Sequence, residues 1–312
     1  MRTVEKYISE INKLRQQKNA VILAHYYQED DIQNLADFVG DSLALSKKAA
    51  ETNADIIVFA GVHFMAETAK ILNPTKKVLL PDLEAGCSLA QSCTADSFLA
   101  FKKQYPNHVT VAYINCSAEV KALCDIICTS ANAEKIIASI PLDQPIIFAP
   151  DKNLGRYLIQ KTGRDMVLWD GACVVHEAFS FDKLLALHKQ YPQALIVAHP
   201  ESEEHILRVA HYIGSTSGMI NFIKNSLATT FIIATEVGIL NKLAEEAPDK
   251  IVIPAPSKED NTCACSECAF MRVNTVKKLY ECLANETPEI HLDSALISAA
   301  SKPLERMFEL SN

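Results

Sequence analysis

Apolar runs and polar turns alternate along this chain in a pattern that occurs three times. Each copy opens with an apolar run that ends in a cluster of His, Tyr, Asn or Glu residues: VILAHYYQ (21–28), VTVAYINC (109–116) and LIVAHPES (195–202). Equivalent segments are offset by 88 or 89 positions between the first two copies, and by 84 to 86 between the second and third. A repeat of this length predicts three similar structural units.

Each copy continues with a turn that carries small hydroxyl side chains, and then with two further apolar runs. The turns are DFVGDSLA (37–44), DIICTSAN (125–132) and HYIGSTSG (211–218). The later runs are DIIVFAGV (55–62), QPIIFAPD (144–151) and TTFIIATE (229–236), followed by KVLLPD (77–82), MVLWDG (166–171) and KIVIPA (250–255). Short runs rich in Val, Ile and Leu are typical of strands buried on both faces. Because helical spacing separates them, the sequence predicts α/β units with short parallel sheets and right-handed crossovers.

The repeat also predicts the domain boundaries. We expect αβα units at 1–86, 87–172 and 173–289, with a C-terminal helix at 290–312 that packs back on the first unit. No long Pro- or Gly-rich linker separates the units, so we expect them to pack closely together. The first twenty residues predict an amphipathic helix, with Val4, Ile8, Ile11 and Leu14 on one side.

Composition narrows the class of protein. With 49% hydrophobic and 22% charged residues, the chain of 312 residues is typical of a soluble α/β protein. A formal net charge of −8 argues against a nucleic-acid partner, because phosphate binding requires clustered Lys and Arg. No apolar run approaches the roughly 20 residues that a membrane helix needs, and the N-terminus lacks a secretion signal. We therefore expect a cytoplasmic protein with no membrane partner.

The ten cysteines predict metal chemistry rather than disulfides, since the cytosol keeps thiols reduced. Cysteines follow the closing run of every copy: Cys87, Cys173, and a cluster of Cys263, Cys265 and Cys268. Three thiolates from three units suit a cuboidal iron–sulfur cluster whose fourth iron lacks a protein thiolate and can act as a Lewis acid. A structural zinc site at CACSEC (263–268) is the alternative. The other cysteines, which we expect to be buried packing residues, are Cys93, Cys116, Cys124, Cys128 and Cys282.

Polar residues follow the predicted strands at matching positions of the three copies. They form pairs two residues apart, which strand alternation would place on one face: His25 with Tyr27, Tyr113 with Asn115, and His199 with Glu201. Ligands of open α/β sheets bind beyond the carboxyl ends of the strands. Ser42, Ser130 and Thr216 lie where turns enter helices, so each is either an N-cap or part of a site for phosphate or carboxylate. The chain contains no GxGxxG or GxxxxGK[ST] motif, so no motif supports a dinucleotide or P-loop nucleotide site.

Taken together, these motifs resemble a known family. VILAHYYQ, DFVGDSL, AGVHFMAETAKIL, PDLEAGCSLA, VAYINCSAEVKA, IICTSAN, HPE, GSTSGM and ECAFMRVNT resemble quinolinate synthase, the A protein of bacterial NAD biosynthesis, over essentially the whole chain. The resemblance implies three pseudo-threefold-related αβα domains around a [4Fe–4S] cluster. It also implies a transferase that condenses iminoaspartate with dihydroxyacetone phosphate to give quinolinate, phosphate and water.

The resemblance further implies individual residues. The cluster ligands are Cys87, Cys173 and Cys268, the last because CAFMRVN fits the family pattern; the roles of Cys263 and Cys265 stay open. Glu201 and Tyr27 are the candidates for general acid–base work, whereas His25 and His199 bind substrate oxygens, with proton transfer as a secondary role. The implied substrate-binding residues are His25, Tyr27, Ser42, Tyr113, Asn115, Ser130, His176, His199, Glu201 and Thr216.

Two other functions compete with this interpretation. A non-catalytic iron–sulfur redox sensor would use the same three cysteines but would not need matched polar residues at the strand ends. A zinc-stabilised binding module is the second alternative. If the chain is the enzyme, its unstable substrate iminoaspartate implies a functional link to an aspartate oxidase or dehydrogenase.

Overall fold

Three separate four-stranded parallel sheets form the framework of the protein. They are seen in a computed structural model that describes residues 3–259 and 266–311. The first sheet contains β1 (Ala20–His25), β2 (Phe38–Gly40), β3 (Ile56–Ala60) and β4 (Lys77–Leu79). The second contains β5 (Val109–Tyr113), β6 (Ile126–Cys128), β7 (Ile146–Ala149) and β8 (Met166–Leu168). The third contains β9 (Leu195–Ala198), β10 (Tyr212–Ile213), β11 (Thr230–Ala234) and β12 (Ile251–Pro254).

All three sheets have the same topology. The strands are arranged as β2-β1-β3-β4, β6-β5-β7-β8 and β10-β9-β11-β12, so the opening strand of each unit lies beside the third one. The register repeats as well, since His25 pairs with Gly40 and Tyr113 pairs with Cys128 at the end of each opening strand. The predicted α/β class, with three similar parallel-sheet units, is confirmed.

Helices connect the strands and cover the sheets on both faces, which is why the strands are apolar throughout. The first unit contains α1 (Thr3–Gln17), α2 (Asp30–Leu35), α3 (Ser42–Glu51) and α4 (His63–Leu72). The second contains α5 (Ser88–Ser92), α6 (Ala95–Lys102), α7 (Ala118–Ala122), α8 (Ala133–Ser139) and α9 (Lys152–Thr162). The third contains α10 (Phe181–Gln190), α11 (Glu204–Leu207), α12 (Thr216–Asn225) and α13 (Ile239–Glu246), and the chain ends with α14 (Ala269–Arg272), α15 (Val276–Asn285) and α16 (Ser294–Ser311).

The C-terminal helices join the units. Helix α15 returns to the first unit and packs on α1, where the rings of Tyr7 and Tyr280 lie 5.2 Å apart. Helix α16 touches α4 of the first unit, but it packs mainly on α7 and β6 of the second. Its residues Leu304 and Met307 are fully buried there. The apolar stripe of α16 therefore fills the boundary between two units.

The three units share one apolar core, which accounts for their close packing. A single cluster of buried side chains contains Leu23 of β1, Val111 of β5 and Val197 of β9. No helix of the described residues is long and apolar enough to cross a membrane. The cysteines predicted to be packing residues are buried, whereas Cys87, Cys173 and Cys268 are only half-buried. Cys263 and Cys265 lie outside the described residues.

Candidate active site

The carboxyl ends of the three sheets converge on one cavity of about 730 Å³, a volume that includes space open to solvent. Residues from all three units line it, and every site residue expected from the sequence is among them. These thirteen residues are His25, Tyr27, Ser42, Cys87, Tyr113, Asn115, Ser130, Cys173, His176, His199, Glu201, Thr216 and Cys268. The convergence follows from the repeated topology, which places each strand end at the same edge of its sheet.

The turns after the opening strands, rather than the strands themselves, direct the paired polar residues into the cavity. Strand alternation was the wrong reason for the pairing, because β1 ends at His25, β5 at Tyr113 and β9 at Ala198. The second residue of each pair therefore lies beyond the strand. The backbone N–H of Tyr27 donates to His25 Nδ1 (3.2 Å), and that of Glu201 donates to His199 Nδ1 (3.4 Å). The same local turn recurs in the first and third units.

These backbone contacts set the tautomers of two histidines. Because Nδ1 of His25 and of His199 accepts a hydrogen bond, the proton of each neutral ring lies on Nε2. Burial lowers the pKa of His25 to about 4 and that of His199 to about 3, so both rings are neutral at pH 7. His199 Nε2 lies 3.2 Å from Ser130 Oγ. Both rings can therefore donate Nε2–H to an oxygen atom bound in the cavity.

Two of the three predicted hydroxyl residues, Ser42 and Thr216, lie at helix starts. Ser42 and Thr216 are the first residues of α3 and α12, and the N-caps are their predecessors Asp41 and Ser215, which accept from Ala44 N and Gly218 N. Asp41 and Ser215 therefore cap the two helices, and the hydroxyls of Ser42 and Thr216 are not N-caps. Ser130 lies in a turn before α8, whose N-cap is Asn132, so its placement at a helix start was wrong.

Glu201 is a buried carboxylate held by hydrogen bonds from two side chains. Tyr113 donates its hydroxyl to Glu201 Oε1 (2.6 Å), and His176 Nδ1 lies 3.1 Å from Glu201 Oε2. Burial opposes the ionisation of Glu201, but His176, His199 and the hydrogen bonds lower its pKa below the usual range. Since His199 is itself neutral, the donors His176 and Tyr113 are the partners that hold the charge. Burial and the same carboxylate raise the pKa of Tyr113.

A buried hydroxyl connects two of the predicted site residues. Thr235, which follows β11, lies 2.8 Å from the Tyr27 hydroxyl and 3.0 Å from His176 Nε2. The Tyr27 hydroxyl also contacts Thr216 Oγ1 (2.9 Å). Burial raises the pKa of Tyr27, so its phenol is protonated at pH 7. Side chains of the first and third units are therefore linked by hydrogen bonds beneath the cavity.

The three half-buried thiols are potential metal ligands. Cys87, Cys173 and Cys268 all line the cavity, and burial raises the pKa of each thiol, that of Cys87 to about 12. Cys173, with His176 and Glu201, also forms a group of potential metal ligands whose donor atoms lie within 4.8 Å of one another. Thiolates at this position need a positive charge nearby, because desolvation disfavours them.

A carboxylate anchors the third thiol. Glu236 is fully buried, and its Oε1 accepts from the backbone N–H of Cys268 (3.1 Å) and from Arg272 Nη2 (3.3 Å). Its Oε2 accepts from Gly238 N (2.6 Å). Burial raises the pKa of Glu236 to about 7, and Arg272 opposes that shift. The end of β11 thereby holds the segment that presents Cys268 to the cavity.

Comparison with known proteins identifies the family. The family model of the quinolinate synthetase A protein, NadA, matches residues 9–309. The chain belongs to this family. It is 59% identical over 304 residues to the quinolinate synthase of Thermosynechococcus vestitus, covering 97% of this chain and 95% of the relative. It is also 59% identical over 301 residues to the quinolinate synthases of a Synechococcus strain and of Microcystis aeruginosa, covering 96% of this chain and 94% of each relative.

Membership of the quinolinate synthetase A protein family confirms the function predicted from the motifs. The chain is an enzyme of the quinolinate synthase type, with a catalytic role in NAD biosynthesis. The interpretation as a non-catalytic sensor is thereby set aside.

Sequence reasoning missed three polar residues at this quinolinate synthase site: Asp41, Thr235 and Glu236. Asp41 directly precedes Ser42 in the turn VGDS and lines the cavity. Thr235 and Glu236 end the run TTFIIATE, where the other units carry Gly-Val and Pro-Asp. That departure from the repeat, with two polar residues after the third strand of one unit, was the available signal.

Proposed function

We propose that this enzyme condenses iminoaspartate with dihydroxyacetone phosphate and releases quinolinate, phosphate and water. The observation that carries the proposal is the single cavity that all thirteen expected site residues line, although they come from three units of the chain. The reaction forms a carbon–carbon bond, expels phosphate, shifts a carbonyl group, closes an imine and removes water. Most of these steps move protons, and the cavity contains carboxylate, phenol and imidazole groups suited to that work.

Hydroxyl, imidazole and backbone groups bind the anionic substrates. Among the described residues that line the cavity there is no Lys or Arg. Ser42 and Thr216 begin helices of 10 residues, whose first N–H groups favour phosphate or carboxylate. Asn115 Oδ1 is buried without a hydrogen-bond partner, which suits a substrate donor such as an imine N–H. Nε2–H of His25 and of His199 supplies hydrogen bonds to carboxylate or carbonyl oxygens.

Glu201 and Tyr27 do the acid–base work in this proposal. Glu201 is ionised at pH 7 and can take a proton from a substrate carbon or nitrogen atom that lies next to it. Its partners Tyr113 and His176 keep the carboxylate in place between proton transfers. Tyr27 follows β1 of the first unit, whereas Glu201 follows β9 of the third, and the Tyr27 hydroxyl lies 2.9 Å from Thr216 Oγ1. The two groups therefore approach a bound substrate from different units.

A [4Fe–4S] cluster held by Cys87, Cys173 and Cys268 is the cofactor in this proposal. The donor set fits, because three soft thiols reach one cavity and their burial disfavours thiolates that lack a neighbouring cation. When bound, such a cluster supplies an iron without a protein thiolate, which polarises a substrate oxygen or nitrogen atom.

Several further expectations belong to the same proposal. The three units have boundaries at 1–86, 87–172 and 173–289, each containing one sheet. The protein works in the cytoplasm, where its thiols stay reduced. An aspartate oxidase or dehydrogenase supplies iminoaspartate, because an imine of this kind hydrolyses in water and must be used soon after it forms.

The direct test is the reaction itself. Anaerobically purified protein is mixed with dihydroxyacetone phosphate and with iminoaspartate generated in the same vessel, and quinolinate is measured by chromatography. We expect quinolinate and phosphate in equal amounts. The proposed substrates are wrong if the brown, iron-loaded protein forms no quinolinate while a characterised quinolinate synthase does so in parallel.

The ligand assignment makes a separate prediction. Cys268→Ala leaves two of the three proposed thiolates, so we expect loss of the visible absorbance, of bound iron and of activity. Cys263→Ala and Cys265→Ala are the matched controls from the same segment, and we expect both to keep the absorbance. A colourless Cys263→Ala protein beside a normally coloured Cys268→Ala protein would reverse the assignment.

A further inference from the structure

The position of Asn115 in the cavity depends on the turn that carries it. Asn115 lies in the turn after β5 and lines the cavity, where its Oδ1 atom is buried without a hydrogen-bond partner among the described residues. Because no neighbouring group holds this oxygen atom, the backbone on either side of Asn115 determines where the amide meets a substrate.

A fully buried lysine holds that turn on both sides of Asn115. Nζ of Lys121, on α7, donates to the carbonyl oxygen of Ile114 (3.0 Å) and to that of Cys116. The first carbonyl belongs to the peptide group that precedes Asn115, and the second belongs to the peptide group that follows Cys116. The backbone of Asn115 therefore lies between two peptide groups that one ammonium group fixes, although Lys121 itself does not line the cavity.

Helix α4 of the first unit supplies partners for the buried charge of Lys121. Nζ of Lys121 lies 5.4 Å from the centre of the Phe64 ring, and Glu67 is buried nearby on the same helix. Burial raises the pKa of Glu67, and the positive charge of Lys121 opposes this rise. Glu67 Oε2 also accepts from the backbone N–H of Ala118 (3.0 Å), the first residue of α7. A buried cation needs such partners to offset the loss of its water shell.

We propose that Lys121 is a positioning residue that holds the turn after β5 so that Asn115 meets the substrate, and that Glu67 of the first unit secures Lys121 there. Lys121 acts through Asn115 and does not touch the substrate. The inference rests on the proposed function, in which Asn115 accepts from an imine N–H. It gives a role to two buried charged residues in the motifs VAYINCSAEVKA and AGVHFMAETAKIL that no contact with the cavity explains.

The first test removes the ammonium group but keeps the stem. Lys121→Met retains an unbranched apolar side chain that cannot donate to the turn. We expect the KM for iminoaspartate to rise by about tenfold, the effect of one misplaced hydrogen bond, while kcat changes by less than about threefold. The KM for dihydroxyacetone phosphate should be unchanged. Iminoaspartate is generated in the reaction vessel at varied concentrations, and visible absorbance and iron content are measured on every variant.

A double-mutant cycle shows whether Lys121 acts through Asn115. Asn115→Ala should raise the KM for iminoaspartate by about tenfold. Asn115→Ala/Lys121→Met should then be no worse than Asn115→Ala alone, because the side chain that Lys121 positions is already absent. If the two residues acted independently, their effects would multiply to an increase of roughly 100-fold.

Lys102→Met is the matched control. Lys102 also donates to a backbone carbonyl oxygen of the second unit, that of Leu123 (2.5 Å), but this residue lies at the other end of α7. Lys102→Met should therefore keep both KM values.

Glu67→Gln separates positioning from stability. The Gln side chain retains an acceptor for Ala118 N but has no charge. Lys121→Met/Glu67→Gln should unfold at a higher temperature than Lys121→Met, which leaves a buried carboxylate without its cation. Its KM for iminoaspartate should stay raised by about tenfold, because the turn still lacks the ammonium group. If Lys121→Met does not retain the visible absorbance, Lys121→Met/Glu67→Gln replaces it in every comparison of KM.

Three results would overturn the proposal. They are an unchanged KM for iminoaspartate in Lys121→Met, multiplied effects in Asn115→Ala/Lys121→Met, and a Lys121→Met/Glu67→Gln variant no more stable than Lys121→Met. Each of them leaves quinolinate formation by the unmodified enzyme intact, whereas failure of the proposed function removes quinolinate from every sample.

Discussion

At the scale of single residues, the site keeps a buried carboxylate ionised without a neighbouring Lys or Arg among the described residues of the cavity. Glu201 depends on two donors, the Tyr113 hydroxyl and His176 Nδ1, which come from outside its own turn. Hydrogen bonds to a charged group are the stronger kind, and a carboxylate that accepts two of them keeps its proton affinity low. The charge of Glu201 is therefore available for proton transfer at neutral pH.

This arrangement predicts the effect of removing the charge alone. Glu201→Gln keeps the size and most of the hydrogen-bonding reach of the side chain but cannot take up a proton. We expect kcat to fall by about 100-fold or more, the usual scale for a general acid–base group, with the visible absorbance retained. Steady-state quinolinate formation, measured anaerobically, gives the comparison.

A nearby surface carboxylate provides the control for this change. Glu204 pairs with Arg208 (2.6 Å) in an exposed ion pair at α11, so Glu204→Gln should leave kcat unchanged. Near-normal turnover in Glu201→Gln would assign that residue a structural role only.

At the scale of elements, the start of α13 lies against the turn that carries Tyr27. A Cβ atom on Gly238 would lie 2.8 Å from Tyr27 Cα and 2.9 Å from the Tyr26 carbonyl oxygen. The backbone of the third unit is thus in close contact with the backbone of the first, at Tyr27, which lines the cavity. Only glycine allows this approach, because both neighbours are main-chain atoms that cannot turn aside.

Two glycine substitutions separate this packing effect from an ordinary backbone effect. Gly238→Ala should displace the Tyr27 turn, which lowers kcat and also destabilises the fold by about 1–3 kcal/mol. Gly163 ends α9 with φ +69, and a Cβ there would meet nothing within 4 Å. Gly163→Ala should therefore cost about 1–2 kcal/mol of stability through backbone strain alone and leave kcat unchanged.

Thermal unfolding and steady-state kinetics on both glycine variants distinguish these outcomes. Equal kcat values in the two variants would mean that the Tyr27 turn tolerates the displacement, and that the close approach serves packing only.

At the scale of the whole molecule, the cavity exists because three sheets share one apolar core. Cross-unit contacts, such as the hydrogen bonds of Tyr27 with Thr216 and of Tyr113 with Glu201, need the units to be held at fixed positions. Helix α16 contributes to this by covering α7 and β6 while touching α4 of the first unit. Helix α16 should therefore help to hold the active-site residues of different units at fixed positions.

Leu304 tests that contribution. It is fully buried on α16, so Leu304→Ala leaves a cavity at the boundary of two units and should destabilise the protein by about 2–5 kcal/mol. Leu142→Ala is the control, because Leu142 is 87% exposed and its loss should change stability by less than about 0.5 kcal/mol. Anaerobic denaturant unfolding measures both variants. Equal stability of the two would show that α16 does not join the units.

The sequence by itself determined the class of fold and the membership of the site. Strand and helix periodicity are local properties of the sequence. Because the same pattern occurs three times, the strands and the polar residues at their ends could be predicted for each unit. The same repeat, with the family resemblance, indicated thirteen of the residues that line the cavity, from His25 to Cys268, but not Asp41 or Glu236.

Only the tertiary structure decided how these residues are held. The strands end at or before the paired polar residues, Asp41 and Ser215 take the capping role, and Thr235 and Glu236 support Tyr27 and Cys268 from a neighbouring strand end. Such contacts join segments that are far apart in the chain, and no local pattern records them. The placement of α16 was decided in the same way, because its apolar stripe could cover either unit and packing at the boundary buries it against both.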